Sequence, residues 1–241
     1  MAPLKSRDIE YYHGDQRLLG SFCAPAGDAP RPGILVVHGA MGIDEHIIAC
    51  TEKVAALGYA VLAVDLWGNR YHPQGPSQID ELIGSFAGDR TKWMNRLAAG
   101  RQALTLQPEV DTSRIGAVGY CFGGASVLEY IRTGGETRGG VSLHGGLDLV
   151  ASDWSKAKAG SNVLICTGAE DPMAKTEELL RVQSDMSQAN VSWEVDIYSH
   201  AKHAFTEPDD INKPPFAAYD AKADRRSWQA MSAFFKEVFS R

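Results

Sequence analysis

No window of this 241-residue chain approaches the run of about 18 apolar residues that a membrane-spanning helix requires. The opening stretch, Met1 to Glu10, lacks the apolar centre of a secretory leader. Cysteine is scarce: Cys23, Cys50, Cys121 and Cys166 lie far apart, without a C-x-x-C pair or a metal-ligand rhythm. That usage fits free thiols in a reducing compartment, so a cytoplasmic location is expected. Positive charge is not in excess. With 24 Lys and Arg against 30 Asp and Glu, the formal net charge is −6, and neither a nucleic acid nor a membrane is expected as a partner. Repeats, low-complexity tracts and domain-dividing linkers are also missing. The Pro/Gly-rich stretches Gly27–Gly33, His72–Pro76 and Pro208–Pro215 have only loop length. One domain over residues 1–241 is expected, as a monomer or homodimer.

What is present alternates regularly. Apolar runs at Gly33–His38, Ala60–Val64, Arg114–Val118, Gly140–Leu143 and Asn162–Thr167, with the more alternating Ser192–Tyr198, predict strands. Helix-like stretches separate or follow them near Glu45–Leu57, Gln78–Leu106, Gly124–Thr133, Ala174–Ala189 and Ala217–Ser240. Repeated strand-then-helix order predicts an α/β fold with a mostly parallel sheet and helices on both faces. Residues 8–24 read instead as an antiparallel hairpin turning at Gly14-Asp15. In such folds the loops after Val37, Val64, Val118, Thr167 and Tyr198 carry the chemistry.

One of those loops contains Gly119-Tyr120-Cys121-Phe122-Gly123-Gly124, a G-x-C-x-G between a strand and a helix. A nucleophile on a sharp turn needs nearly bare neighbours, and a helix start behind it favours a thiolate. The simpler alternative is a glycine-rich loop with a buried cysteine. Downstream, Glu170-Asp171-Pro172 puts an acid after a strand, where it could equally cap the next helix. Then Ser199-His200-Ala201-Lys202-His203 offers two histidines, either of which could be a base. No further ligand stands at partner spacing, so no metal is expected.

Nucleophile, acid and histidine in that order are the order of an α/β-hydrolase. On Gly119–Gly124, Glu170-Asp171-Pro172 and Ala201-Lys202-His203-Ala204-Phe205, the chain resembles the dienelactone hydrolase family, the cysteine branch of that fold. The segments Gly33–His38 and Gly58–Gly68 fit as well, so the resemblance spans essentially the whole chain. It implies Cys121 as nucleophile, His203 rather than His200 as base, and Asp171 as its orienter. The oxyanion would be held by the backbone N–H groups of Phe122 and of Ala40, with Met41 the alternative to Ala40. The implied activity is cofactor-free hydrolysis of a small ester or lactone through an acyl-thioester, as in carboxymethylenebutenolidase. An acyltransferase or thioesterase on the same scaffold, or a small-molecule binder without turnover, are the alternative readings.

Two positions depart from the family pattern. A glutamate that contacts the resting thiol is replaced here by Gly39, which predicts more thiolate character and easier alkylation at Cys121. An arginine that holds the substrate carboxylate is replaced by Glu207, which predicts a neutral ester, lactone or thioester. Arg70, Arg90 and Arg96 could compensate, but each is more simply read as a solvated helix or loop charge. His38 is expected to brace its turn, and His144 is an ordinary strand-end residue with a place in the site as the alternative. Trp67 and Met41 are expected at the substrate pocket, although Trp67 could equally pack beneath its loop.

Overall fold

The computed structural model describes residues 3–27, 29–208 and 213–240. Asp28 in the expected loop Gly27–Gly33, and residues 209–212 in the expected loop Pro208–Pro215, lie outside the described residues, as do the first two residues of the opening stretch. The chain forms two compact units, Met1–Ala117 and Val118–Arg241.

The first unit opens with the hairpin, β1 (Leu4–His13) antiparallel to β2 (Gln16–Pro25), around the expected turn. Strand β3 (Arg31–Val37) pairs in parallel with β4 (Ala60–Val64), and β2 joins β4 antiparallel. The apolar runs are explained by burial: Ile34, Leu35, Val36 and Val37, like Ala60 to Val64, are fully buried. Helix α1 (Glu45–Ala56) starts where the Asp44 carboxylate accepts from the Ile47 N–H at 2.9 Å. The single helix expected over Gln78–Leu106 is two, α2 (Pro76–Gly88) and α3 (Arg90–Thr105). Asp89 leaves the helical conformation at φ −129°, ψ 79°, and its carboxylate caps α3 by accepting from the Lys92 N–H. An aspartate that can satisfy a free helix N–H ends one helix and begins the next.

Strand β5 (Val110–Tyr120) runs through the boundary of the units and leads into the second. There, α4 (Phe122–Arg132) begins directly after Cys121. Strands β6 (Gly139–Leu143), β7 (Asn162–Gly168) and β8 (Ser192–Tyr198) pair in parallel in that order. Helix α5 (Thr176–Gln188) packs on β8, while α4 packs on β6 and α6 (Ala221–Ser240) on β6 and β7. The core here is Val127, Leu128, Val141, Leu164, Ile165, Met231 and Phe235, all essentially inaccessible. α6 starts later than the expected Ala217, because Asp220 caps it by accepting from the Ala223 N–H at 2.8 Å. Residues 217 and 218 are used instead in backbone pairing with His203. All four cysteines are free thiols. Among the described residues, no helix is long and apolar enough to cross a membrane.

Candidate active site

Three strand ends of the second unit meet at Cys121. The cysteine itself has φ 54°, ψ −119°, a left-handed conformation that a non-glycine residue seldom adopts. The turn closes only because Gly119 has no side chain: a Cβ there would lie 1.9 Å from the Gly123 carbonyl oxygen. The thiol therefore projects from a bend between β5 and the first turn of α4, and it remains partly accessible.

The acid and the histidine arrive on loops that are tied to one another. After β7 the Ala169 N–H donates to the Tyr198 carbonyl at 2.9 Å, and the Glu170 N–H to the Ala201 carbonyl at 3.0 Å. Gly168 permits that approach, since a Cβ on it would be 2.2 Å from the Ala201 oxygen. Asp171 is buried, and one carboxylate oxygen accepts from the Met173 N–H at 2.8 Å. The other lies 2.8 Å from His203 Nδ1. His203 is fixed from behind by its own N–H to the Phe216 carbonyl (3.1 Å) and by the Ala218 N–H to its carbonyl (3.1 Å). Its Nε2 is 3.1 Å from Cys121 Sγ.

The ring is thus held between a carboxylate and a thiol. Burial works against a positive charge on it, but the charge on Cys121 and the bonds to Asp171 and Cys121 outweigh that. The result is a pKa well above the ordinary 6.5. This arrangement can hold a thiolate–imidazolium pair and can pass a proton between Nε2 and a group bound at the sulfur. His200, the other histidine of the pair, is an exposed residue 3.3 Å from Glu170.

A fourth residue, His144, for which a place in the site was the alternative expectation, joins these three. It is fully buried, its Nδ1 accepts from the Cys121 N–H at 3.1 Å, and its ring lies 5.5 Å edge-on from that of His203. The only signal for it was its position at a strand end. Phe216 was missed. It is 36 % exposed and its ring is 6.2 Å from the His203 ring, an apolar group beside that imidazole. Phe122 is buried and opens α4, directly after Cys121.

The other expected residues belong to the first unit. Ala40 is half-buried, and its carbonyl accepts from the Trp67 indole N–H at 3.0 Å. Trp67 is buried, with its ring 5.0 Å from His38 and 5.3 Å from Phe86, so it packs beneath its loop. Met41 is exposed, and its carbonyl lies 3.0 Å from His72 Nδ1. An open cleft of this unit, between Ile43, Asp44, Ile48, Glu52 and His72, includes neither Met41 nor Trp67. His38 does brace its turn: it is fully buried, with Nδ1 2.7 Å from the Gly39 carbonyl and Nε2 accepting from the Leu66 N–H. The expectation of solvated arginines fails twice. Arg96 is buried against Phe86 and donates to the Leu66 carbonyl, while Arg70 binds Asp8 at 2.6 Å and the Gly20 carbonyl at 3.0 Å.

A parallel-stranded α/β scaffold with a cysteine on the turn between strand and helix defines an α/β-hydrolase. Residues 19–239 match the model of the dienelactone hydrolase family, and the chain belongs to that family. It is 37% identical to a solved dienelactone hydrolase-like promiscuous phosphotriesterase from metagenomic libraries, with a TM-score of 0.92 and 98% of each chain covered. A dienelactone hydrolase structure from Anabaena variabilis shares the fold at 22% identity and a TM-score of 0.71, covering 97% of this chain and 98% of that one. Among relatives by sequence, a Methylorubrum extorquens protein named "Putative carboxymethylenebutenolidase" is 24% identical over 222 residues, 88% of this chain and 74% of its own. The protein is therefore a hydrolase of the dienelactone hydrolase type.

Proposed function

We propose that this hydrolase cleaves a neutral carboxylic ester or lactone through an acyl-thioester on Cys121, with His203 as acid and base and Asp171 as orienter. One observation carries the reading: the buried His203 ring spans Cys121 Sγ at 3.1 Å and Asp171 at 2.8 Å. The Cys121 thiolate attacks the carbonyl carbon, forming the C–S bond while the C=O electron pair moves onto oxygen. When that pair returns, the C–O bond to the alkoxide breaks and His203 Nε2–H protonates the leaving oxygen. Neutral His203 then takes a proton from water, the hydroxide adds to the thioester, and the acid departs as the thiolate is regenerated. Asp171 holds the ring with Nε2 toward sulfur and stabilises its charged form.

The N–H of Phe122, first in α4, is assigned to the oxyanion, aided by the positive end of the helix. Ala40 is assigned as the second donor on the family resemblance, and Met41, exposed beside it, to the pocket. Neutrality of the substrate is supported by the charges that flank His203 in the sequence. Glu207 is a carboxylate on the same loop, and the Lys202 and Lys213 ammonium groups each donate to a backbone carbonyl, of Pro215 and Glu207, at 2.8 Å. Phe216 beside the base favours an apolar substituent.

Trapping decides the matter. Incubation with p-nitrophenyl butyrate and rapid acid quenching should leave a butyryl mass on the peptide containing Cys121. Full turnover by Cys121→Ala, or acylation elsewhere, would sink the reading. A second reading, attack on a phosphotriester, is favoured by the 37% identical metagenomic phosphotriesterase. A phosphoryl rather than acyl mass on Cys121 after paraoxon treatment would support it.

A further inference from the structure

His144 is a buried polar residue that the chemistry just described does not use, and its bonds reach the Cys121 turn, strand β7 and the loop that carries His203. It is the first residue after β6, at φ 40°, and its N–H donates to the Cys166 carbonyl of β7 at 2.8 Å. Its Nδ1 accepts from the Cys121 N–H, which also reaches the Leu143 carbonyl at 3.1 Å. Because Nδ1 is an acceptor, the ring proton of the neutral imidazole sits on Nε2. That proton points to Thr206 Oγ1 at 2.8 Å, three residues beyond His203. Thr206 is buried too, and the His144 ring is wedged edge-on against His203 (5.5 Å) and Phe205 (5.0 Å).

We propose that His144 is a positioning residue: its ring links the backbone of the nucleophile turn to the hydroxyl of Thr206 and so sets the Cys121–His203 distance. The inference rests on the reading of Cys121 as nucleophile. The turn at Cys121 is in an uncommon backbone conformation, so it holds only while its surroundings fix it. A ring with an acceptor on one edge and a donor on the other fixes it against the loop that carries the base. A phenyl ring would fill the same volume with neither group, leaving the Thr206 hydroxyl without its donor. The role thus belongs to the imidazole's hydrogen bonds and not to its bulk.

The test compares four variants with chromogenic esters. His144→Phe should fold and lose about 30- to 100-fold in kcat with KM changed less than about threefold, since a displacement near 1 Å carries losses of that order. His144→Asn, which restores an acceptor for the Cys121 N–H, should recover at least about a third of that loss on a logarithmic scale, and Thr206→Val should lose about fivefold in kcat. In folded His144→Phe, the His203 imidazolium should titrate at lower pH by nitrogen-15 NMR, because loosening the pair removes part of what raises it. A purely packing role would leave that titration unmoved. Wild-type kcat and titration in folded His144→Phe would overturn the proposal. If that variant does not fold, an unchanged kcat in Thr206→Val overturns it and a fivefold loss supports it. Cys121→Ala separates the two readings: its full turnover would refute the nucleophile, whereas an inactive Cys121→Ala beside a fully active His144→Phe refutes only the positioning role.

Discussion

His38 and His203 are both buried histidines just past the end of a parallel strand or its loop, yet their charges are driven in opposite directions. Around His38 the ring nitrogens meet backbone groups, the Gly39 carbonyl and the Leu66 N–H. Burial dominates and its pKa falls below 6.5. His203 is as deeply enclosed, but its ring nitrogens face a carboxylate and a thiol, and its pKa rises well above 6.5. Burial alone therefore says little about what a histidine does. Partners that can carry negative charge turn an enclosed imidazole from a neutral brace into a proton carrier.

The comparison is broken most directly by removing one of those partners. Asp171→Asn should lower kcat by about 10³-fold or more, since an orienter's amide also stabilises the wrong tautomer. With the carboxylate gone, His203 should also titrate at lower pH than in the wild type. Steady-state rates on p-nitrophenyl butyrate and NMR titration of the His203 ring check the two halves. A His203 titration left unmoved would mean that Asp171 is not what separates His203 from His38.

A smaller effect sharpens what the charge at Glu207, four residues past His203, selects. Glu207→Arg places a cation where the loop now offers a carboxylate. It should raise kcat/KM for an ester bearing a carboxylate by about tenfold relative to its neutral methyl analogue, the scale of about one new charge-assisted contact. Equal effects on both esters would remove Glu207 from the account of specificity.

How much of this could be read beforehand depended on whether the signal was local. Cys121, Asp171 and His203 each follow a strand run, and the order of strand ends places them on one edge without any coordinate. The break at Asp89 was also local, in Gly88-Asp89, but the helical pattern on both sides masked it. His144 also follows a strand run, Gly140–Leu143, but no motif around it favoured a place in the site over an ordinary strand-end role. Its importance comes from β6 lying where Leu143 and His144 both meet the Cys121 N–H, a lateral adjacency that strand runs do not reveal. Arg96 was misread for the same reason, since a single arginine in a helix looks solvated until Leu66 and Phe86 are placed around it. Trp67 stood between two roles, and its indole bond to the Ala40 carbonyl and contact with Phe86 show the packing one.

Stability against pH gives the finest test of the contrast. For His38, the folded pKa lies below the ordinary 6.5. Its neutral form is favoured by the fold, so its contribution is full above about pH 6.5 and is lost as pH falls toward the folded pKa. For His203 the sign reverses: the folded pKa lies above 6.5, so its contribution is full below about pH 6.5 and is lost as pH rises through the folded pKa. His38→Gln should therefore flatten the decline in urea-unfolding free energy on the acid side, and His203→Gln the decline on the alkaline side. The flattening at His38 should come with a general loss of about 1–3 kcal/mol, because the Leu66 N–H and the Gly39 carbonyl are buried partners that glutamine meets imperfectly. If both variants changed the same limb of the stability curve, the opposition between the two histidines would not be a property of their partners.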